Sequence, residues 1–291
     1  MLDFIVNPIA GGKHGRKTRK TVSIIETVLK EKNIEYKIHV TRYKGHAKDI
    51  ASAIIDKGAT DVIVVGGDGT LHEVINGFSN FERVNLGLIP CGTGNDFALA
   101  LKIPKNPKKA LDLIINGNAK FTDFMQMPNV RGMNIIGTGI DVEVLKKYNN
   151  LKRKNEWGYT KCLISTLFNF EYSNFTVEID GKKTNYRSFI AAIANGCAYG
   201  GGIKICPIAD ATDNKLNFVA VKEIKKLALI GAFIRLKMGR ILKFKQTVTQ
   251  QMKNIKITSD KPLTINIDGE LYENIPFEVS IVSNTLKMYR K

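Results

Sequence analysis

Residues 61–70 contain the pattern that could most directly do chemistry. Val62–Val65 is a β-branched run, typical of a strand buried on both faces. The segment Gly66-Gly67-Asp68-Gly69-Thr70 follows at once, and the chain then reads as a helix that Thr70 could cap. Glycines let a backbone approach a ligand closely, and the N–H groups of a helix N-terminus attract anions. The acid within this loop favours a site that also holds a sugar hydroxyl or a cation.

Two further strands end in polar glycine loops. Val84–Ile89 precedes Gly92-Thr93-Gly94-Asn95-Asp96, and Phe4–Val6 precedes Asn7-Pro8-Ile9-Ala10-Gly11-Gly12-Lys13. Open α/β sheets bind ligands where the carboxyl ends of their strands meet. One Gly-Gly pair alone would be typical of a tight turn, but three such loops predict a site for a nucleotide or another phosphorylated small molecule.

These segments, in this order, resemble the diacylglycerol kinase catalytic family, which includes soluble bacterial lipid kinases and the sphingosine kinases. Later segments extend the resemblance nearly to the end of the chain: Asn195-Gly196, Gly200-Gly201-Gly202, Pro207-Ile208-Ala209 and Asp268-Gly269-Glu270. Gly-Gly-Asp-Gly-Thr alone is shared with NAD kinases, so the resemblance depends on the ordered series.

The resemblance implies Mg²⁺-dependent transfer of the ATP γ-phosphate to a lipid hydroxyl, with diacylglycerol as the first candidate acceptor. Another acceptor stays open: a sphingoid base, a monoacylglycerol, phosphatidylglycerol or NAD. From a different class, the chain could be a regulator that binds nucleotide or lipid without catalysis. The intact acids Asp68, Asp96 and Asp268 argue against a regulator, and the late segments argue against NAD.

The resemblance also implies roles for single side chains. Asp268, with Glu270 beside it, would be the general base for the lipid hydroxyl, whereas composition alone predicts a hairpin turn at Asp268-Gly269. Asp68 and Asp96 are the candidates to hold Mg²⁺, although Asp96 could simply cap a helix. The catalytic residues are thus predicted to be Asp268, Glu270 and Asp68. The residues predicted to bind ATP are Asn7, Pro8, Gly11, Lys13, Thr41, Gly66, Gly67, Asp68, Gly69, Thr70, Gly92, Thr93, Gly94, Asn95 and Asp96.

A second, structural Mg²⁺ site is implied at residues 210–215. The Asp213 carboxylate and the main-chain carbonyls of Asp210 and Lys215 would be its ligands. Asn214 stands where relatives have glycine, and asparagine tolerates the left-handed conformation that the turn needs. The alternative is an exposed polar loop without a metal.

The chain has 44 Lys+Arg against 27 Asp+Glu, a net charge of +17, which attracts polyanions. No zinc-finger or RNA-recognition signature accompanies this charge, so we expect no specific nucleic-acid partner. We expect an anionic membrane that presents the lipid substrate, and a homodimer stays open. Without a signal peptide or a membrane span, the sequence predicts a cytoplasmic protein that associates reversibly with the inner membrane surface.

Alternating strands and helices over residues 1–120 predict a doubly wound, mostly parallel α/β domain, to which residues 283–291 return. Short β-rich runs over 121–282 predict an antiparallel β-sandwich that binds the lipid, with the active site in the cleft between the domains. Helices are predicted at 145–155, 157–170 and 223–244. The last of these is basic and amphipathic, so it covers one face of the β domain or lies in a membrane interface.

Overall fold

The computed structural model describes residues 1–12, 15–151, 156–167 and 170–291. These residues divide into two compact units. Unit 1 comprises Met1–Asp123 and Ser283–Lys291, and unit 2 comprises Phe124–Val282. The sequence prediction divides the chain at 120/121 and 282/283.

Unit 1 alternates strands and helices. Its strands are β1 (Leu2–Val6), β2 (Tyr36–Val40), β3 (Asp61–Gly66) and β4 (Asn85–Pro90). Its helices are α1 (Arg16–Glu31), α2 (His46–Asp56), α3 (Asp68–Asn76), α4 (Asp96–Ala100) and α5 (Pro107–Asn116). The predicted doubly wound α/β unit is confirmed.

The sheet of unit 1 aligns the carboxyl ends of its strands. The strands β2, β1, β3 and β4 pair in that order, all parallel. Val6 lies opposite both Val40 and Val65, and Gly66 lies opposite Pro90. The loops that leave these strands therefore start from one edge of the sheet.

Unit 2 is rich in antiparallel strands. The chain passes from one unit to the other within β5 (Ala119–Gln126) and within β15 (Phe277–Tyr289). The strands between them are β6 (Arg131–Gly132), β7 (Ile135–Gly139), β8 (Ser173–Ile179), β9 (Lys182–Ala194), β10 (Leu216–Lys222), β11 (Thr247–Met252), β12 (Asn254–Ser259), β13 (Thr264–Ile267) and β14 (Glu270–Glu273). The helices are α6 (Ile140–Asn149), α7 (Glu156–Leu167) and α8 (Lys226–Lys237), followed by a 3-10 turn (Ile241–Lys243).

Strands β9 and β10 separate two apolar cores, because successive side chains of a strand point to opposite faces. On one face, Ile190 and Val219 pack with residues of α6, α7 and α8. On the other, Ile193 and Phe218 pack with residues of the surrounding strands. The core between the strands is that of the predicted β-sandwich. Because helices cover the opposite face of β9, the end of this strand is buried on both faces.

The predicted helix over 223–244 is wrong in extent. Helix α8 ends at Lys237, because Gly239 adopts a positive φ of 65° that a helix cannot continue through. Leu229 and Ala232 of α8 belong to the core beneath it, so this helix does cover one face of the β unit. Helix α6 begins at Ile140 rather than at 145, and residues 152–155 and 168–169 of the other predicted helices lie outside the described residues.

Candidate functional site

In chain order, the first glycine loop is residues 7–13, the second is 66–70 after β3, and the third is 92–96 after β4. The second and third loops contact each other through their backbones. A Cβ atom on Gly92 would lie 2.5 Å from the Cα of Gly67, and one on Gly67 would lie 2.9 Å from the Cα of Gly92. Neither distance is possible for a real side chain. Glycine is therefore required at both positions by close approach, since the φ of Gly67 is an ordinary −108°.

The first loop is joined to the other two. Asn7 donates a hydrogen bond from Nδ2 to the Thr70 hydroxyl (3.1 Å). A side chain on Gly11 would lie 2.4 Å from the Cys91 carbonyl oxygen, and Gly11 has a positive φ of 76°. Helix α3 begins at Asp68 with Gly67 as its N-cap, so the prediction that Thr70 caps it is wrong: Thr70 instead secures the first loop.

Two acids lie where the second and third loops meet. The Asp68 carboxylate accepts hydrogen bonds from the backbone N–H groups of Asp96 (3.2 Å) and Phe97 (3.3 Å) at the start of α4. A Cβ atom on Gly94 would lie 3.0 Å from an Asp96 carboxylate oxygen and 3.2 Å from one of Asp68. Both carboxylates thus lie against one glycine.

This pair of acids fits a magnesium ion that binds phosphates. Mg²⁺ in such sites takes one or two carboxylates, together with water and phosphate oxygens, and Asp68 and Asp96 supply the carboxylates. Among the described residues, no group of three or more His, Cys, Asp or Glu is arranged to hold a metal, so phosphates would have to complete the ligand set. Nearby, Asn95 Oδ1 is buried and accepts no hydrogen bond from the described residues, an acceptor suited to a ligand donor.

Glu73 is a positioning residue that the sequence reasoning missed. Its carboxylate accepts hydrogen bonds from the backbone N–H groups of Gly45 (2.9 Å) and Ala47 (3.1 Å). It thereby fixes the loop between β2 and α2, which begins with the buried Thr41. Nothing in the sequence marked Glu73, because a glutamate on a helix usually faces solvent.

In unit 2, Asp268 lies in the hairpin turn that composition predicts. Ile267 of β13 pairs with Glu270 of β14, and Asp268 (φ 52°) and Gly269 (φ 96°) both have the positive φ that a two-residue turn requires. The Asp268 carboxylate also accepts three backbone hydrogen bonds, which makes it more than a turn residue. The donors are the N–H groups of Met133 (2.6 Å), Asn134 (2.8 Å) and Ile135 (3.1 Å).

These three hydrogen bonds distinguish aspartate from asparagine at position 268. Asparagine would serve the turn as well as aspartate, but its amide has one acceptor oxygen and would direct an NH₂ group at a backbone donor. The segment that supplies the donors is itself held in place. Asn195 donates from Nδ2 to the Met133 carbonyl (2.7 Å), and Asn134 donates from Nδ2 to the Ala198 carbonyl (2.8 Å).

Asp141, at the start of α6, is a second acid that the sequence reasoning missed. It is 3% exposed, and burial raises the pKa of its carboxyl from 3.8 to about 6. Its Oδ2 accepts a hydrogen bond from Asn266 Nδ2 (3.1 Å), and this bond and the backbone N–H groups of residues 141 and 142 partly offset the rise in pKa. Burial and the nearby Asp141 charge both raise the pKa of the Tyr199 hydroxyl.

The implied structural metal loop has the predicted backbone. Asn214 has a φ of 59°, so asparagine does adopt the left-handed conformation. Asp213 accepts a hydrogen bond from the Lys215 N–H (3.0 Å) and Asp210 accepts one from the Thr212 hydroxyl (2.7 Å). Partial burial and the neighbouring Asp210 raise the pKa of Asp213, a setting that a cation would relieve. A metal held there by one carboxylate and carbonyls stays a prediction.

The other predicted residues are distributed as follows. Pro8, Gly69 and Thr93 lie in or just beyond the three loops, and Glu270 is half-buried at the start of β14. Asp123, another acid of unit 1, lies buried inside β5. Lys13 lies outside the described residues. None of the described helices is both long enough and apolar enough to cross a membrane.

Comparison with known proteins matches both halves of the chain. Residues 2–127 match the family model of the diacylglycerol kinase catalytic domain. Residues 134–290 match that of the YegS C-terminal NAD kinase beta sandwich-like domain.

Similar proteins align over almost the full length. A diacylglycerol kinase of Mycobacterium tuberculosis is 26% identical, over 98% of this chain and 94% of that protein. A crystal structure of a diacylglycerol kinase from Bacillus anthracis has a TM-score of 0.75 at 22% identity, covering 100% and 96% of the two chains. An NAD kinase from Archaeoglobus fulgidus in complex with ATP has a TM-score of 0.54 at 13% identity, covering 99% and 92%. The two structures show a shared fold.

Gly92→Ala should weaken ATP binding by at least tenfold, because the new Cβ would force the second and third loops apart. The measurement is ATP affinity by calorimetry. The matched control is Gly231→Ala in α8, whose Cβ would meet only the flexible end of Arg235 at 3.2 Å and which should be neutral or stabilising. Unchanged ATP affinity in Gly92→Ala would show that the loops do not form the nucleotide site.

Asp141→Asn should raise the free energy of unfolding at pH 7–8 by up to about 3 kcal/mol. The carboxyl pKa is raised in the folded state, so the wild-type protein loses stability as pH rises from about 4 to about 6. Asparagine cannot ionise and still offers an oxygen to Asn266, so the two proteins should be equally stable near pH 4. Urea unfolding across this range tests the expectation, with the exposed Asp180→Asn as control. Parallel pH profiles for wild type and Asp141→Asn would contradict it.

Proposed function

The chain belongs to the diacylglycerol kinase catalytic family of phosphotransferases with an alcohol acceptor, and on that premise we propose that it is a lipid kinase acting on diacylglycerol. The products would be ADP and phosphatidic acid. The observation that supports this most directly is the backbone contact of Gly67 with Gly92. It brings together two glycine loops of a kind that binds phosphates, and with them the acids Asp68 and Asp96.

Unit 1 would bind ATP. The N–H groups of the α3 N-terminus would donate to phosphate oxygens, and Asn95 Oδ1 would supply an acceptor. Most N–H groups of the loop after β1, and that of Gly92, already donate within the protein. Asp68 and Asp96 would hold Mg²⁺, which when bound neutralises charge on the phosphates. Asp68 has a second task, because its hydrogen bonds to residues 96 and 97 fix the start of α4.

Unit 2 would supply the general base. The hydroxyl oxygen of the lipid attacks the γ-phosphorus, the hydroxyl proton passes to Asp268, and the bond between the γ-phosphorus and the bridging oxygen breaks to release ADP. Three backbone N–H groups hold the Asp268 carboxylate in one orientation. A fixed carboxylate loses little entropy when it aligns with the acceptor hydroxyl, which favours this assignment.

The experiment that tests the function is transfer of label from radioactive ATP in the presence of Mg²⁺. The acceptors are diacylglycerol, monoacylglycerol, a sphingoid base, phosphatidylglycerol and NAD, with the lipids in mixed micelles. We expect the highest turnover with diacylglycerol. Labelling of NAD without labelling of any lipid would overturn the proposal.

Asp268→Asn should lower kcat for the lipid by roughly 10²–10⁴-fold, the usual contribution of a general base, and leave ATP affinity nearly unchanged. Asp180→Asn is the matched control, because Asp180-Gly181 forms the same two-residue hairpin between β8 and β9 with φ values of 51° and 74°. Its exposed side chain accepts none of the hydrogen bonds that Asp268 does.

Amide hydrogen exchange separates the two tasks of Asp268. Slow exchange at residues 133–135 in Asp268→Asn, together with lost turnover, supports a base. Fast exchange there with lost turnover would assign Asp268 a structural task, and retained turnover would remove it from the chemistry altogether.

We further propose that one face of unit 2 contacts an anionic membrane. The Lys237 ammonium donates to the Thr160 hydroxyl (3.3 Å), which places α8 beside α7. Among the described side chains of α7, α8 and the residue after α8, those that are apolar and exposed are Trp157, Ile164, Ile234 and Met238. Exposed basic side chains lie on the same two helices and just beyond α8: Lys161, Arg235, Lys237 and Arg240. Apolar side chains ringed by basic ones are suited to the interface of an anionic bilayer.

Trp157→Ala should weaken binding to anionic vesicles by about tenfold, because Trp157 is 83% exposed and would insert its ring into the interface. Binding should also fall with added salt, as the Debye length shrinks from about 10 Å at 0.1 M to about 3 Å at 1 M. Vesicle sedimentation measures both effects. Phe121→Ala, which removes an exposed aromatic ring from unit 1, is the control; equal binding of all three proteins would place the membrane contact elsewhere.

A further inference from the structure

We propose that Asp141 and Asn266 form a positioning pair that sets the geometry of the turn carrying Asp268. Both residues of the pair belong to unit 2. The inference rests on the proposed function only for its effect on catalysis, and its effect on the turn can be measured separately.

The pair connects α6 to the turn through two hydrogen bonds. Asn266 donates from Nδ2 to Asp141 (3.1 Å), and its Oδ1 accepts from the backbone N–H of Gly269 (2.9 Å). An amide has one donor end and one acceptor end. Because the carboxylate requires the donor end, Asp141 compels Asn266 to present its oxygen to Gly269.

The surrounding backbone is shaped to admit Asp141. Gly137 of β7 pairs with Asn266 of β13, and a Cβ atom on Gly137 would lie 2.7 Å from the Asp141 carboxylate. A side chain at this position would therefore displace the carboxylate from Asn266. Glycine at this position leaves the space in which the Asp141 carboxylate meets Asn266.

The pair acts on Asp268 through the turn. Gly269 follows Asp268, and both residues hold positive φ angles, a conformation of aspartate that local hydrogen bonds support. The bond from Asn266 fixes the second residue of the turn. The bonds from residues 133–135 then meet the Asp268 carboxylate in a single orientation.

If Asp141 served only to stabilise the fold, an apolar residue would serve at a lower cost in free energy. Asp141 is only 3% exposed, and a buried ionisable group generally costs stability compared with an apolar one. Retention of a carboxylate in such surroundings fits a residue that is kept for the orientation it imposes. Asp141 is therefore a positioning residue that acts through Asn266, without contact with substrate.

The test exchanges the two side chains. Asn266→Asp alone places two carboxylates face to face and should lower kcat on the order of 10²-fold, as misplacement of a catalytic group does, with little change in KM for ATP. It should also speed exchange of the Gly269 amide hydrogen. The double variant Asp141→Asn/Asn266→Asp restores a donor facing an acceptor and leaves an oxygen for Gly269. We expect it to recover most of the turnover and the slow exchange.

Asn185→Asp is the control, since it makes the same chemical change at an exposed position of unit 2 where the oxygen can still accept from Thr176. Wild-type exchange and turnover in Asn266→Asp would overturn the proposal, as would a double variant that is no better than the single one. If Asn266→Asp does not fold, the double variant is compared with the wild type. Wild-type-like turnover and slow exchange of the Gly269 amide support the proposal, and loss of both overturns it.

Amide exchange also distinguishes this proposal from the proposed function. A wild-type protein that phosphorylates no lipid would remove the lipid-kinase assignment. The exchange rates of Gly269 in the single and double variants would still establish or overturn the positioning pair.

Discussion

The contact between Gly67 and Gly92 is the constraint on which the arrangement of unit 1 depends. Strands β3 and β4 end side by side, so the loops that follow them compete for the same space. Two residues without side chains remove that competition and let the backbones meet. Helices α3 and α4 can then both begin at this edge, and Asp68 of one caps the other.

In unit 2 the corresponding site residue, Asp268, is positioned by hydrogen bonds instead of by close packing of backbones. Its key turn is a hairpin of a common kind, as the equivalent turn at Asp180-Gly181 demonstrates within the same unit. The Asp-Gly dipeptide favours positive φ angles in both turns. Only the turn at Asp268 faces three aligned backbone donors, so the chemistry of the aspartate depends on what the rest of the unit brings to it.

This difference explains how far the sequence could be interpreted. Local signals predicted the strands and glycine loops of unit 1 well, and the strand predicted at Val84–Ile89 is β4 (Asn85–Pro90), one residue further along the chain. The hairpin at Asp268-Gly269 was also predictable, because two adjacent residues determine it. The donors to its carboxylate come from residues 133–135, and no local pattern connects segments so far apart in the chain.

The two acids that the sequence did not reveal were missed for the same reason. Glu73 and Asp141 occupy ordinary helical positions, and their partners lie elsewhere in the sequence. The helix predicted over 223–244 failed for a local reason, since a periodic apolar pattern continued across Gly239 although the backbone turns there. The proposed role of Asp268 in catalysis came from family resemblance, and composition alone predicted only its turn.

Unit 1 is discontinuous in sequence, and this determines when its sheet can be completed during translation. Its sheet includes the end of β15, where Lys287 pairs with Asn85 of β4 and the Tyr289 hydroxyl donates to Asp61. A ribosome synthesises β1 to β4 first but supplies this last strand only after all of unit 2. The edge of β4 therefore stays unpaired on that side throughout translation of unit 2, and exposed strand edges promote aggregation. Unit 1 is the first to be synthesised and the last to be completed, so this strand edge stays exposed for longer than it would in a unit continuous in sequence.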